Sequence, residues 1–308
     1  MIRKPSELKA KKLFKGLIAG LPGIGKSTLG VSAPAALLID ADDGWDRIPA
    51  QFRVPVIQPQ SYEEILQDLK PDNSELKDFE TLVFDTGGSL LTYMKSWAIK
   101  KDMKNGQKDG VTLSMRGYGT IGREFMRLMD HCIYALQKNI IVIFHVIEKS
   151  DNDETVYRID AEGQTKNNIW KIMDFGGLML SSNNKRIIGF SPTDKYYAKG
   201  THGLTGTHEI PNPMKTGQNT FLADLFIQLN DNIESESQYA EDYKIVMNEI
   251  RSKIAGIKDI KTAEKAYEEI KDLEHVFSSK QEASTLMKEK LASIGMTFRN
   301  GKFTKVKK

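Results

Sequence analysis

Four short, uninterrupted apolar runs punctuate the first half of the chain, at residues 13–19, 35–40, 81–85 and 139–145. Runs of this length without polar alternation are the pattern of strands buried on both faces of a parallel sheet. Between the last two, Ile121, Phe125, Leu128, Met129, Cys132, Ile133 and Leu136 recur at steps of three and four and predict a helix with one apolar face. Strand and helix alternate, so the expected fold is α/β with a mainly parallel sheet. Beyond His145 the texture changes. Short candidates at 155–159, 177–181, 186–190 and 195–198, separated by Asn, Asp, Gly and Pro, predict antiparallel hairpins that extend the sheet. From about Asn230 glycine and proline thin out, and amphipathic patterns predict helices near 238–257, 262–274 and 280–294. The expected organisation is a basic arm over 1–12, a core over 13–229, a small helical appendage over 230–298, and a basic tail over 299–308 that is a candidate for disorder.

Composition narrows the class. With 308 residues, 40% hydrophobic and 28% charged, the chain has enough apolar material for a full core and is far from the polar composition that stays unfolded. The single cysteine, Cys132, excludes an internal disulfide and an all-cysteine zinc site, and cytoplasmic residence is expected. No apolar run approaches the roughly 18 residues of a spanning helix, so no membrane association is expected. Forty-four basic and 41 acidic side chains leave a net charge of +3, too balanced to attract a polyanion in bulk. Only local clusters carry that reading, such as Arg3, Lys4, Lys9, Lys11 and Lys12 in the arm.

The chemistry is announced by Gly20-Leu-Pro-Gly-Ile-Gly-Lys-Ser27, a full match to G-x-x-x-x-G-K-[ST] directly after a strand and before helix-compatible residues. Glycines let backbone N–H groups close around phosphates, and the lysine supplies a point charge to the β and γ oxygens. Gly20, Pro22, Gly23, Ile24, Gly25, Lys26, Ser27 and Thr28 are therefore the expected ATP contacts, with the Ser27 hydroxyl directed to Mg²⁺. Asp85 closes an apolar run, which places its carboxylate at the ligand-binding edge of a parallel sheet as a second candidate metal ligand. The run 35–40 ends in Ile39-Asp-Ala-Asp-Asp-Gly44. Hydrolysis needs a group that orients or deprotonates the attacking water, and Asp42 or Asp43 can supply it.

Ile39-Asp-Ala-Asp42 resembles the strand-end motif of RecA and its relatives, in which a glutamate occupies the place of Asp42. In order, the Gly20 loop, the Ile39 motif, Val83-Phe-Asp85, Arg116-Gly-Tyr-Gly119 and a strand closing on His145 are similar to the phage-encoded RecA-like ATP-binding proteins of the AAA class. That group includes short recombinases implicated in single-strand annealing. The resemblance, over roughly residues 8 to 225, implies a RecA-like ATPase core that forms a ring or filament. It implies that His145 senses the γ-phosphate, and that a hairpin containing Lys195 and Lys199 reaches a neighbour's nucleotide. It further implies that loops at 97–118 and 148–174 line a channel for single-stranded DNA. In the first loop, Lys100, Lys101, Lys104, Lys108 and Arg116 lie among Trp97 and Tyr118, the mixture of charge and aromatic faces that tracks a single strand. Trp97 serves equally as core packing. The expected function is Mg²⁺-dependent ATP hydrolysis acting on single-stranded DNA in recombination or annealing, with a single-strand-binding protein as a candidate partner. A helicase or packaging motor and a nucleotide-gated scaffold remain as alternatives.

Overall fold

The computed structural model describes residues 13–151, 154–161, 165–299 and 301–305. The expected basic arm at 1–12 and the last three residues of the tail lie outside these. In chain order the elements are β1 (Lys15–Gly20), α1 (Lys26–Gly30), β2 (Ala36–Asp40), β3 (Val56–Ile57), α2 (Tyr62–Asp68), β4 (Thr81–Asp85), α3 (Gly87–Lys101), α4 (Met115–Asp130), β5 (Asn139–Asp151), β6 (Glu154–Ile159), α5 (Thr165–Ile172), β7 (Phe175–Ser182), β8 (Lys185–Gly189), β9 (Thr207–Ile210), α6 (Pro213–Thr216), α7 (Phe221–Ala255), α8 (Ile260–Lys271), α9 (Ser279–Ser293), β10 (Met296–Arg299) and β11 (Lys302–Lys305).

One sheet runs in the order β3-β2-β4-β5-β1-β7-β8-β9, with β6 attached to the far end of β5. The neighbours β3, β2, β4, β5, β1 and β7 pair in parallel. Every residue of β1, β2 and β4 is buried, which is why their sequences read as continuous apolar runs. In register, Asp40 lies opposite Asp85, and Gly20 opposite His145. Four neighbouring strands thus deliver Asp40, Asp85, His145 and the Gly20 loop to the same C-terminal edge, where ligands of open parallel sheets bind. The α/β fold with a mainly parallel sheet and an antiparallel extension agrees with the expectation.

Details of the second half differ. β7 pairs in parallel with β1 instead of belonging to a hairpin alone, because α5 precedes it as the crossover that a parallel strand requires. β8 and β9 do extend the sheet antiparallel. Residues 195–198 are not a strand; Tyr196 makes only an isolated bridge to Tyr157 and packs its ring against the core beneath Gly189. Its aromatic composition mimics a strand, whereas the four residues of β9, of which only Ile210 is buried, carry little strand signal. β5 continues beyond His145 to Asp151 and pairs with β6 as a ribbon. The expected loop at 97–118 is helical at both ends, since α3 extends to Lys101 and α4 begins at Met115, and only the connection between them is left as loop. The expected loop at 148–174 contains the β5–β6 ribbon and α5.

The chain divides into two compact units between Asn230 and Asp231, inside the 35-residue helix α7. The first has the sheet and its core. The second buries Met247, Ile250, Ala266, Met287 and Leu291 between helices, closed by Met296 and Phe303 of the β10–β11 hairpin. That hairpin corrects the reading of a disordered tail from Arg299: the rings of Phe298 and Phe303, 4.6 Å apart, anchor it. Cys132, expected to pack, is fully buried, and burial pushes its thiol up. Among the described residues no helix is long and apolar enough to cross a membrane.

Candidate nucleotide site

The chain leaves β1 at Gly20, turns through Leu21 to Gly25 and enters α1 at Lys26. Gly25 has φ 94°, a left-handed conformation that side-chain-bearing residues rarely adopt. A Cβ there would also stand 2.5 Å from Nη1 of Arg186 and force that guanidinium aside. Lys26 is buried. Its Nζ donates to the Leu21 carbonyl at 2.9 Å and to Nδ1 of His145 at 3.2 Å. An ammonium has donors only, so Nδ1 accepts and the ring proton sits on Nε2. Burial pulls the Lys26 pKa down, opposed by the charges of Asp85 and Asp42. The His145 pKa is also lowered, by burial first and by Lys26 second. The imidazole is therefore neutral at physiological pH.

Asp85 is only 8% exposed, and burial pushes its carboxyl up to about 6, against the restraining hydrogen bond from the Ser27 hydroxyl. Asp40 beside it is consumed by the backbone: its carboxylate accepts from the N–H groups of Gly44 at 2.9 Å and Trp45 at 2.9 Å, building the turn that follows β2. That turn divides the two hydrolytic candidates. Asp42 lines the phosphate cleft with Lys26, Ser27 and Asp85, and it accepts from Ser89 Oγ at 3.1 Å and from Arg47 at 3.4 Å. Asp43, at φ 49°, instead meets Gln58 at 3.1 Å and is not part of the cleft lining. Gly23, Gly25, Thr28 and His145 also face the cleft. Pro22 is exposed at the loop crest, while Ile24 packs near Gly20, so these shape the loop.

A hydroxyl and a carboxylate in contact form a hard-oxygen pair suited to Mg²⁺, which commonly takes one or two protein ligands and completes its shell with phosphate and water. The Ser27–Asp85 pair fits this requirement. Among the described residues no cluster of three or more His, Cys, Asp or Glu is assembled to hold a metal.

The remaining candidates are placed elsewhere. Lys195 is exposed, and Lys199 donates to the Met173 carbonyl at the end of α5. Lys100 meets Glu63 at 3.3 Å, Arg116 meets Asp102 at 2.7 Å, and Lys101 lies over the Trp97 ring at 4.5 Å. Trp97 stands edge-on to Tyr62, 5.3 Å away, and Tyr118 packs against the core, so neither aromatic is a free stacking face. Lys104 and Lys108 are exposed on the connection between α3 and α4. A groove adjoining the cleft shares Asp42, Thr86 and His145 with it and continues past Lys95 and Asp160.

Sequence reasoning passed over Arg47, Ser89, Arg186 and Asn219. Asn219 donates to the Thr28 carbonyl at 2.8 Å across 191 positions, and nothing local to it signals that partner.

Comparison with known proteins bears on this geometry. No curated protein matches the chain. Among solved structures it is similar to an ATPase domain, with 10% identity, 65% of this chain and 81% of that chain covered, and a TM-score of 0.40. It is also similar to the flagellar accessory protein FlaH from Methanocaldococcus jannaschii, with 11% identity, 57% and 76% covered, and a TM-score of 0.30. The profile of the AAA domain family matches residues 12–202, the whole span from the first strand through the phosphate loop to the segment after Lys199, and the chain belongs to that family of P-loop ATPases.

Proposed function

We propose that the protein hydrolyses ATP with Mg²⁺ and uses the cycle to control its grip on single-stranded DNA, in recombination or annealing, as an oligomer. The observation that carries the ATPase half is the convergence of Lys26, Ser27, Asp85 and Asp42 on one cleft at the sheet edge. Lys26 exchanges its bond to the Leu21 carbonyl for phosphate oxygens, and its contact with His145 passes that change to β5. Ser27 and Asp85 would hold the metal, and the chemistry Mg²⁺ supplies when bound is neutralisation of phosphate charge. Asp42, held by Ser89 and Arg47, is the group that orients or deprotonates water; its position favours it over Asp43. The DNA half is supported by exposed Lys104 and Lys108 and by a groove sharing Asp42 and His145 with the cleft.

A second reading has its own support. Asp42 is already engaged by a guanidinium, which favours slow hydrolysis and hence a nucleotide-gated switch acting through partner surfaces. ATP hydrolysis measured with and without single-stranded DNA separates the two. Stimulation of about tenfold or more is expected from the first reading, a difference of about 1.4 kcal/mol in barrier. A slow rate indifferent to DNA overturns it in favour of the switch.

A further inference from the structure

The unit that begins at Asp231 holds a cavity of its own, of about 370 Å³, formed by residues beyond the span that the AAA family profile matches. On α9, Ala283, Met287 and Leu291 recur every fourth residue as a buried row, and Ala283 is its smallest member. α9 packs on β10 and α8 on β11, so the hairpin bridges the two helices and the cavity is left between them. Its walls are apolar, made by Tyr267 and Ile270 of α8, the α9 row, and the rings of Phe298 and Phe303. The rim is cationic. No carboxylate is among the lining residues, whereas Lys271, Lys280 and Lys288 all are, and all three are exposed. Lys271 meets Glu268 at 3.5 Å, an exposed pair of small strength, and among the described residues Lys280 and Lys288 have no ion pair.

An occupant has to suit apolar walls and a cationic rim together. A nucleobase suits them poorly. Stacking needs an open ring face, but the three rings pack on one another: Phe298 lies 4.6 Å from Phe303 and 5.1 Å from Tyr267, and Tyr267 stands edge-on to Phe303 at 5.8 Å. Reading a base edge needs oriented polar groups, and both ring nitrogens of the half-buried His275 are engaged, Nδ1 with Ser279 Oγ at 3.0 Å and Nε2 with the Ile270 carbonyl at 3.0 Å. An apolar peptide side chain needs neither, and carboxylates beside it in its own chain would meet the lysines. We propose that this cavity docks an acidic segment of a partner protein: one aromatic or large aliphatic side chain fills the space between α8 and α9, and flanking Asp or Glu residues pair with Lys280 and Lys288. The buried anchor supplies the affinity, and the rim charges orient the segment and speed its arrival. No residue of the nucleotide cleft takes part, so the proposal stands apart from the ATP reading.

The test measures fluorescence anisotropy of labelled peptides on the full chain. Each peptide carries Phe, Trp or Leu flanked on both sides by three Asp or Glu residues, with serine in the anchor place as one control and lysine in the flanks as another. At least one acidic, anchored peptide is expected to bind about tenfold or more tighter than its serine control, and the lysine-flanked peptides should not compete. Ser284→Trp, at an exposed position of the lining, puts an indole into the cavity and should abolish that advantage. Lys280→Ala combined with Lys288→Ala should weaken binding by about threefold or more and flatten its salt dependence. Melting curves check that both variants fold, and where the tryptophan variant does not, the lysine pair decides. Peptides that bind no better than their serine controls, or binding that the folded variants leave unchanged, would overturn the proposal. Oligothymidylate bound in their place and weakened by the lysine pair would make the cavity a nucleic-acid surface. Self-association of the free chain, dispersed by Ser284→Trp, would make the occupant a second copy. Either of these results also defeats the proposal.

Discussion

Asp85 shows how a proposed metal ligand and stability oppose each other at a single side chain. Its carboxyl titrates near 3.8 when exposed and about 6 in the folded protein. The native state therefore binds the proton more readily, and the stability this contributes is complete below pH 3.8 and lost as pH rises through about 6. At pH 7 the ionised, buried group costs about 3 kcal/mol, from roughly 1.4 kcal/mol for each pH unit. Asp85→Asn is expected to raise stability at pH 7 by about 1–3 kcal/mol and to give no such gain at pH 4, measured by urea titration at both pH values. The same substitution should remove the Mg²⁺ dependence of ATP binding. In the wild type, Mg²⁺·ATP affinity should weaken as pH falls below about 6 if Asp85 holds the metal as proposed, because proton and metal would then compete for one carboxylate. Lys26→Ala removes the one lysine among the described residues of the cleft lining, and ATP affinity is expected to drop about tenfold or more in calorimetry, the loss of a charge-assisted contact. Unchanged affinity would refute the phosphate-loop account.

The elements divide into those whose cause is local and those whose cause is distant. β1, β2 and β4 were legible because burial on both faces leaves an uninterrupted apolar run, and the Gly20 loop because phosphate chemistry dictates its residues. β9 was not legible: its four residues have one buried side chain, and its strand identity comes from pairing with β8. Arg186 was equally silent, since its partner Gly25 lies across the sheet, and a surface strand position accepts an arginine for many reasons. Residues 195–198 misled in the opposite direction, their aromatic content reflecting packing of Tyr196 against the core. The junction of α2 and α4 shows a further long-range cause. The buried Glu124 accepts from the Tyr62 hydroxyl at 2.7 Å and takes two hydrogen bonds from Arg127, at 2.6 and 3.0 Å. Burial and this carboxylate raise the Tyr62 pKa. Glu124→Ala leaves that hydroxyl buried without its acceptor, and a loss of about 1–3 kcal/mol in urea unfolding is expected. Tyr62→Phe in the same background should recover part of it, because the orphaned group is then gone.

At the scale of the molecule, the charge that would meet nucleic acid is smaller than the basic cluster between Lys100 and Arg116 promised. Lys100 and Arg116 are committed to Glu63 and Asp102, which leaves Lys104 and Lys108 as the exposed pair on the α3–α4 connection. Replacing both with alanine should reduce the slope of log affinity against log salt for single-stranded DNA by about 1.4, at roughly 0.7 for each phosphate contact. Replacing Lys100 and Arg116 should change it less. An unaltered slope in the first variant would remove this connection from the DNA-binding surface. The chain's second unit has its own apolar core and hairpin, a feature its amphipathic repeats foretold for the helices but not for β10 and β11.

β5 serves two masters. One half is clamped in the parallel sheet, and the other runs free of it as a ribbon with β6, with His145 at the point of exit. An extended strand has little slack, so if the proposed nucleotide reading holds, a shift at His145 would have no yielding segment to absorb it before the ribbon, and β5 would carry news of the occupied cleft to residues 146–151.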